Sequence, residues 1–116
     1  MEISTDPGRE VFEAIDLPQN GAIGDEPAAI AQALYGTQEF IEGNYTEESL
    51  FVGMDPTQAV LLFTRLGLAD DSVRGIRYRL EFVPYEGEQW ELVWAGQQFM
   101  CWPGRGHENW ETELCY

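Results

Sequence analysis

Apolar and charged residues alternate most clearly in the middle of the chain. Between positions 76 and 82, one set of alternate positions is apolar and the other is charged, namely Ile76, Tyr78, Leu80 and Phe82 against Arg77, Arg79 and Glu81. A period of two places the two sets on opposite faces of an extended chain. The pattern therefore predicts a half-buried β-strand with its charged face towards solvent.

Two further alternating segments, residues 88–95 and 97–102, predict two more strands joined by a turn at Gly96. A plain two-residue turn before them would set charge into the face that carries the tryptophans. We therefore predict an odd-length loop over residues 85–89, or a bulge, which places Leu92 opposite Phe82 and Trp94 opposite Leu80.

The segment Gln58–Leu66 is ambiguous. Asp55 and Pro56 before it and Gly67 after it fit a helix, yet its apolar run has few polar breaks at helical period. A strand buried on both faces fits equally well. We favour the strand because residues 68–72 form a natural turn into the next one.

The N-terminal part predicts an arm followed by one helix. Residues 1–24 are rich in turn signals and contain one alternating segment that fits an edge strand. Residues 25–35 predict a helix with Asp25 as N-cap, Gly36 as its end and an apolar stripe formed by Ile30, Ala33 and Leu34.

Together these elements predict a single α+β domain of 116 residues. One short N-terminal helix packs on an antiparallel sheet of four to five strands, and residues 46–115 form the strand-rich core.

The net charge of −15, with six arginines and no lysine, excludes classes that need a basic surface. Binding to nucleic acid or to an anionic membrane is not expected, because both require phosphate to be neutralised. No apolar run approaches the roughly 20 residues of a membrane span. The acidity favours plain solubility, with an acidic mimic of nucleic acid as an alternative.

Cys101 and Cys115 are the only cysteines. A disulfide between them closes a loop at the C-terminus and contributes about 3 kcal/mol in the chain-entropy picture. Two free thiols are the main alternative. Zinc binding with His107 lacks an obvious fourth ligand, so no metal and no cofactor are expected.

The loop between these cysteines carries the candidate binding residues, which are Trp102, Arg105, His107 and Trp110. Arginine and tryptophan are frequent anchors for partners, and glycines flanking Arg105 allow close backbone approach. The structural alternative is that the tryptophans cover the end of the sheet and that the glycines only shape a tight loop. No catalytic motif is present, so an enzyme would have to use Arg105 and His107.

The segments LADDSV (68–73), RYRLEF (77–82) and C-x2-GRGH-x2-W-x4-C (101–115) resemble a family of small uncharacterised bacterial domains, familiar in cyanobacteria. The resemblance covers residues 46–115 and implies a strand-rich module, which supports a strand at Gln58–Leu66. Members are sometimes carried on exported proteins or lipoproteins, so the resemblance favours a paired Cys101 and Cys115 and an exported or periplasmic location. The family has no known activity and implies no catalytic residue.

The sequence therefore favours a small non-catalytic module that binds a protein or a small ligand through its aromatic C-terminal loop. The alternatives are an enzyme with a site around Arg105 and His107, and the nucleic-acid mimic.

Overall fold

The computed structural model of the chain describes residues 8–37 and 43–116. A 3-10 helix at Arg9–Val11 precedes two short strands, β1 (Glu13–Ala14) and β2 (Ile23–Gly24). One α-helix follows, α1 (Pro27–Tyr35). The rest is built from four long strands, which are β3 (Thr46–Asp55), β4 (Gln58–Leu66), β5 (Val73–Pro84) and β6 (Trp90–Cys101).

The described strands form one antiparallel sheet in the order β1-β6-β5-β4-β3, with β2 also paired to β6. The predicted α+β class is confirmed, and Gln58–Leu66 is a strand. Within the described residues the sheet has six strands rather than four or five, because the N-terminal arm adds two-residue strands at Glu13–Ala14 and Ile23–Gly24 to the four long ones.

Helix α1 begins slightly later than the sequence predicts. Glu26 is the N-cap and Pro27 opens the first turn, whereas Gly36 ends the helix as predicted, with its N–H donating to the Gln32 carbonyl at 3.1 Å. Ala33 is exposed, so its place in the predicted apolar stripe is wrong; Ala31 is buried instead. In the described part of the chain, no helix has the length and apolarity to cross a membrane.

The main core lies between α1 and one face of the sheet, here called the helix face. Ile30 and Ala31 of the helix are buried against side chains of β4, β5 and β6, chiefly Ala59, Leu61, Phe63, Tyr78, Leu80, Phe82, Leu92 and Ala95. The alternating apolar positions of β5 thus face the helix, as the sequence predicts. Burial of this apolar surface is the main contribution to the stability of the fold.

Strand β6 corrects two of our expectations. Residues 88–95 and 97–102 do not form separate strands joined at Gly96, because Trp90–Cys101 is continuous and pairs with β5 throughout. The predicted odd-length loop is present over residues 85–89, and Leu92 lies opposite Phe82. A bulge at Val93 then shifts the register, so that Trp94 lies opposite Glu81 and not opposite Leu80.

The second face of the sheet is also covered along the middle of β5, contrary to the half-buried strand that we predicted. Arg79 and Glu81 of β5 are only 6% and 3% exposed. The Arg79 Nε donates to the Glu81 carboxylate at 3.0 Å, and Arg9 of the N-terminal arm pairs with the same carboxylate. The Arg9 guanidinium also lies 4.7 Å from the centre of the Trp94 ring.

Electrostatics stabilise the charged form of Glu81. Burial by itself raises the pKa of this carboxyl, but the hydrogen bonds from Arg9 and Arg79 outweigh it and hold the pKa below its ordinary value. Glu81 therefore stays ionised at neutral pH and links the arm to the sheet.

The arm passes around the outer edge of β6. Phe12 is buried on the second face with Val60 and Leu62, whereas Ile30 lies on the helix face. Between them, β1 and β2 pair with opposite halves of β6. Residues 8–24 of the arm are therefore an integral part of the sheet, whereas residues 1–7 lie outside the described residues.

We predict that Glu81→Ala destabilises the protein by about 3 kcal/mol, because it removes the carboxylate from a buried pair and leaves the charge of Arg79 without it. Urea denaturation followed by tryptophan fluorescence measures the change. The control is Glu86→Ala in the exposed loop, for which we expect a change within about 0.5 kcal/mol. Equal effects of the two substitutions would contradict a stabilising role for Glu81.

Candidate functional site

The candidate site is the segment that follows β6, closed by a disulfide between Cys101 and Cys115. We call residues 101–115 the C-terminal ring. Cys101 ends β6 and is 1% exposed, and the two Cα atoms lie 5.6 Å apart. The predicted disulfide is therefore present.

Backbone hydrogen bonds fix the C-terminal ring to the last residues of β6. Phe99 and Glu111 exchange two of them, at 2.7 and 3.0 Å, and the Cys101 N–H donates to the His107 carbonyl at 3.0 Å. On the other side, the Trp102 N–H donates to the Ser72 carbonyl at 2.9 Å. The C-terminal ring is thus held by bonds that do not depend on the disulfide.

Both tryptophans of the ring pack under arginines of β5. The guanidinium of Arg74 lies 5.5 Å from the Trp102 ring centre, and that of Arg77 lies 4.5 Å from the Trp110 ring centre. Trp110 also crosses Gly75, where an added Cβ would lie 2.9 Å from the Trp110 ring. Both side chains are half-buried, so they serve mainly to attach the ring to the sheet.

His107 is held between two backbone carbonyls. Its Nδ1 lies 2.8 Å from the Asn109 oxygen, and its Nε2 lies 2.7 Å from the Glu113 oxygen. Because a carbonyl only accepts, both contacts are hydrogen bonds only when both ring nitrogens carry a proton. The pKa of His107 is accordingly raised, mainly by the hydrogen bond to the Glu113 carbonyl and further by the one to the Asn109 carbonyl. Burial lowers this pKa, but by less than the hydrogen bonds raise it.

This arrangement makes His107 a poor general base. A base needs a free nitrogen lone pair within reach of a substrate, and both ring nitrogens of His107 face protein oxygens. The side chain is also only 10% exposed.

The exposed part of the C-terminal ring lies elsewhere. Arg105 is exposed, and within residues 8–37 and 43–116 its side chain has no ion pair or ring contact. The Tyr116 N–H donates to the Arg105 carbonyl at 2.8 Å, which sets Tyr116 beside Arg105. Leu114 and Tyr116 are 79% and 82% exposed. We call Arg105, Leu114 and Tyr116 the exposed patch.

Sequence reasoning missed Leu114 and Tyr116. They flank Cys115 in a stretch with no period of either two or 3.6, so no pattern assigned them to a face. The available signal was their position next to Cys115, which was predicted to form a disulfide. A disulfide fixes the backbone at this point and so restricts how far the neighbouring side chains can fold onto the protein.

A cavity of about 380 Å³ lies away from the C-terminal ring. Residues 17–23 of the arm and Glu91 and Leu92 of β6 line it. An enzyme site around His107 would need its own concave pocket, and this cavity does not include His107 or Arg105.

Among residues 8–37 and 43–116, exposed carboxylates lie at both ends of the sheet. Exposed acids lie at one end of the sheet at Asp55 and Glu86, and at the other end at Asp70, Asp71 and Glu108. A nucleic-acid mimic needs carboxylates at phosphate-like spacing along one face, so this distribution does not support that alternative.

Three side chains of the ring could hold a metal. The sulfur atoms of Cys101 and Cys115 and a ring nitrogen of His107 all lie within 4.8 Å of one another. In the disulfide form both sulfurs are bonded to each other, so the set is a potential site only after reduction.

Comparison with protein-family models, with curated proteins and with solved structures finds no match for this chain.

We predict that replacing both cysteines, Cys101→Ala with Cys115→Ala, lowers the free energy of unfolding by about 3 kcal/mol, because the unfolded chain gains the freedom of the opened loop. Urea denaturation of the two proteins measures it. Alkylation without reductant should leave the mass of the native protein unchanged, and alkylation after reduction should add two groups. Labelling of unreduced protein would show that the thiols are free.

We predict a pH-dependent contribution of His107 to stability. Its folded pKa is raised above the unfolded value of about 6.5, so its stabilisation is complete below that pH and is lost as pH rises through the folded pKa. Denaturation of wild type and His107→Gln from pH 5.5 to 9 should show a difference that shrinks with rising pH. Glu113→Gln keeps the accepting carbonyl and should retain most of this dependence. A constant difference would contradict the double hydrogen bond.

Proposed function

We propose that this chain is a non-catalytic binding module and that its C-terminal ring binds a protein partner through the exposed patch. The proposal rests on one observation, which is that the disulfide-closed ring places the 82% exposed Tyr116 directly beside the exposed Arg105. Tyrosine and arginine are enriched among residues that dominate binding energy at protein interfaces.

Pre-organisation supports this proposal. The backbone of the ring is fixed by the disulfide, by its hydrogen bonds to β6 and by the two tryptophans under Arg74 and Arg77. A surface that is ordered before binding loses little conformational entropy on association. Trp102, His107 and Trp110 then act as the framework of the site, and Arg105 makes direct contact.

The charge around the exposed patch indicates the chemistry of the partner. The ring that carries Arg105 and Leu114 also carries three exposed glutamates, Glu108, Glu111 and Glu113. We therefore infer a partner surface with an apolar depression, an acceptor oxygen for Arg105 and basic residues at its rim, since charge complementarity favours association and suppresses wrong partners.

A binding role is favoured over catalysis because His107 has both nitrogens directed at carbonyls and because the cavity lies elsewhere. We also propose that the module works in an oxidising compartment, outside the cytoplasm. The disulfide supports this location, because such bonds persist mainly in exported proteins. The resemblance to domains carried on exported bacterial proteins agrees with it.

A photo-reactive phenylalanine analogue placed at position 116 should crosslink the partner in its native extract, because that side chain is expected to be buried in the complex. The matched control carries the analogue at Tyr85, which is 40% exposed and lies in the loop at the opposite end of β6. We expect the partner to be captured from position 116 and not from position 85.

The purified partner then provides the quantitative test. Combining Arg105→Ala with Tyr116→Ser should weaken its binding at least about tenfold in a calorimetric titration, since residues of this kind often cost more than 1 kcal/mol each when truncated. Tyr85→Ser should leave the affinity unchanged. Unchanged affinity of the double variant would contradict the proposed surface.

A further inference from the structure

The interior of the C-terminal ring contains a ligand set that the disulfide conceals. Two cysteine sulfurs and one imidazole nitrogen, from Cys101, Cys115 and His107, lie within 4.8 Å of one another. In a tetrahedral zinc site with Zn–S of about 2.3 Å and Zn–N of about 2.0 Å, the ligand atoms stand about 3.5 to 3.8 Å apart. Shifts of about 1 to 2 Å therefore separate the present positions from a coordinating arrangement.

We propose that the reduced chain binds a thiophilic divalent cation of the zinc class through Cys101, His107 and Cys115. Thiolate and imidazole are the ligands that zinc prefers, and three protein ligands leave the fourth position of a tetrahedral ion open to water. The metal-bound and disulfide forms exclude each other, because they use the same two sulfur atoms.

The chemistry balances with a dithiol as the reductant. The dithiol transfers two electrons and two protons to the Cys101–Cys115 disulfide, which opens to two thiols while the dithiol becomes a disulfide. The incoming cation then displaces one proton from each thiol and one from the coordinating nitrogen of the doubly protonated His107, and it forms two metal–sulfur bonds and one metal–nitrogen bond.

The backbone keeps the ligands close when the disulfide opens. The Cys101 N–H donates to the His107 carbonyl, Phe99 and Glu111 exchange two hydrogen bonds, and the Tyr116 N–H donates to the Arg105 carbonyl. None of these bonds involves sulfur. The two cysteines and His107 therefore remain close together after reduction, which raises their effective concentration for a shared ion.

The surroundings of His107 suit a metal ligand. When one ring nitrogen exchanges its carbonyl for the metal, the other retains a hydrogen bond to a backbone oxygen, at 2.8 Å for Asn109 or 2.7 Å for Glu113. Such a bond fixes the tautomer and the orientation of metal-binding histidines. The neighbouring Gly106 leaves one flank of the Cys101 sulfur open, since an added Cβ there would lie 3.1 Å from it.

The test uses the full chain, reduced anaerobically with a phosphine that is then removed, and titrated with Co²⁺ as a spectroscopic substitute for Zn²⁺. We expect one equivalent of Co²⁺ to produce thiolate-to-cobalt charge-transfer absorption. Added Zn²⁺ should displace the Co²⁺ and abolish this absorption. The unreduced protein is the internal control and should give no such band. His107→Asn, after the same reduction, should bind at least about 100-fold more weakly, because loss of an outer partner alone costs 10- to 100-fold.

Two results of the cobalt titration would overturn the proposal. One is a reduced wild type that binds cobalt no more tightly than the Cys101→Ser, Cys115→Ser double variant. The other is a His107→Asn variant with wild-type affinity, which would mean two thiolates bind without the imidazole. Near-ultraviolet circular dichroism of the same samples reports folding; if the reduced protein loses its signal, one equivalent of Zn²⁺ should restore it, and failure to do so would also contradict the site. The inference is independent of the protein partner proposed above.

Discussion

The outer edge of β6 imposes the main constraint on this fold. A strand pairs through both of its edges, and backbone groups buried without a partner are costly. β5 satisfies one edge of β6, and the other edge is shared by β2, β1 and the C-terminal ring. Segments about 90 residues apart in the chain thus depend on one strand.

The opposite edge of the sheet is β3, which pairs only with β4 among the described strands. It carries two glutamates and a bulge at Val52, and both features discourage pairing with other chains.

The bulge at Val93 links this edge to the buried charges. Without it, Trp94 would face the helix and Glu81 would lie on a face without an aromatic ring opposite it. The extra residue turns Trp94 to the second face, where its ring contacts Arg9 and where Arg9 reaches the Glu81 carboxylate.

Four of the six arginines lie over aromatic rings, whereas about one such pair in 70 to 80 residues is usual. In a chain with 21 acidic residues, arginine thus attaches separate segments to the sheet.

The sequence predicts the parts of the fold that depend on local periodicity. Alternation identifies β5 and its helix face, and face parity identifies the odd-length loop before β6. The turn predicted at Gly96 is wrong, because a glycine within a strand pattern marks either a turn or a place where another group approaches the backbone closely. Here an added Cβ would lie 2.5 Å from the Trp94 ring and 2.9 Å from Phe12. Burial of Arg79 and Glu81 is equally invisible locally, because it depends on an arm some 70 residues upstream. Of the candidate site, the pairing of the cysteines was predictable; the roles of its side chains depend on tertiary contacts.

The C-terminal ring shows why rare residues are an uncertain guide to a binding surface. Tryptophan, histidine and cysteine attract functional hypotheses, yet here Trp102 and Trp110 lie under arginines, His107 lies between carbonyls and the cysteines are bonded to each other. Each of these side chains has its strongest interaction inside the protein. A partner can gain most from groups whose interactions are still unmade, and these are Arg105 and Leu114 in the ring and Tyr116 directly after it. The same reasoning separates the two proposed activities. Protein binding uses the outer surface of the ring, whereas metal binding uses its interior after the Cys101–Cys115 disulfide has been reduced.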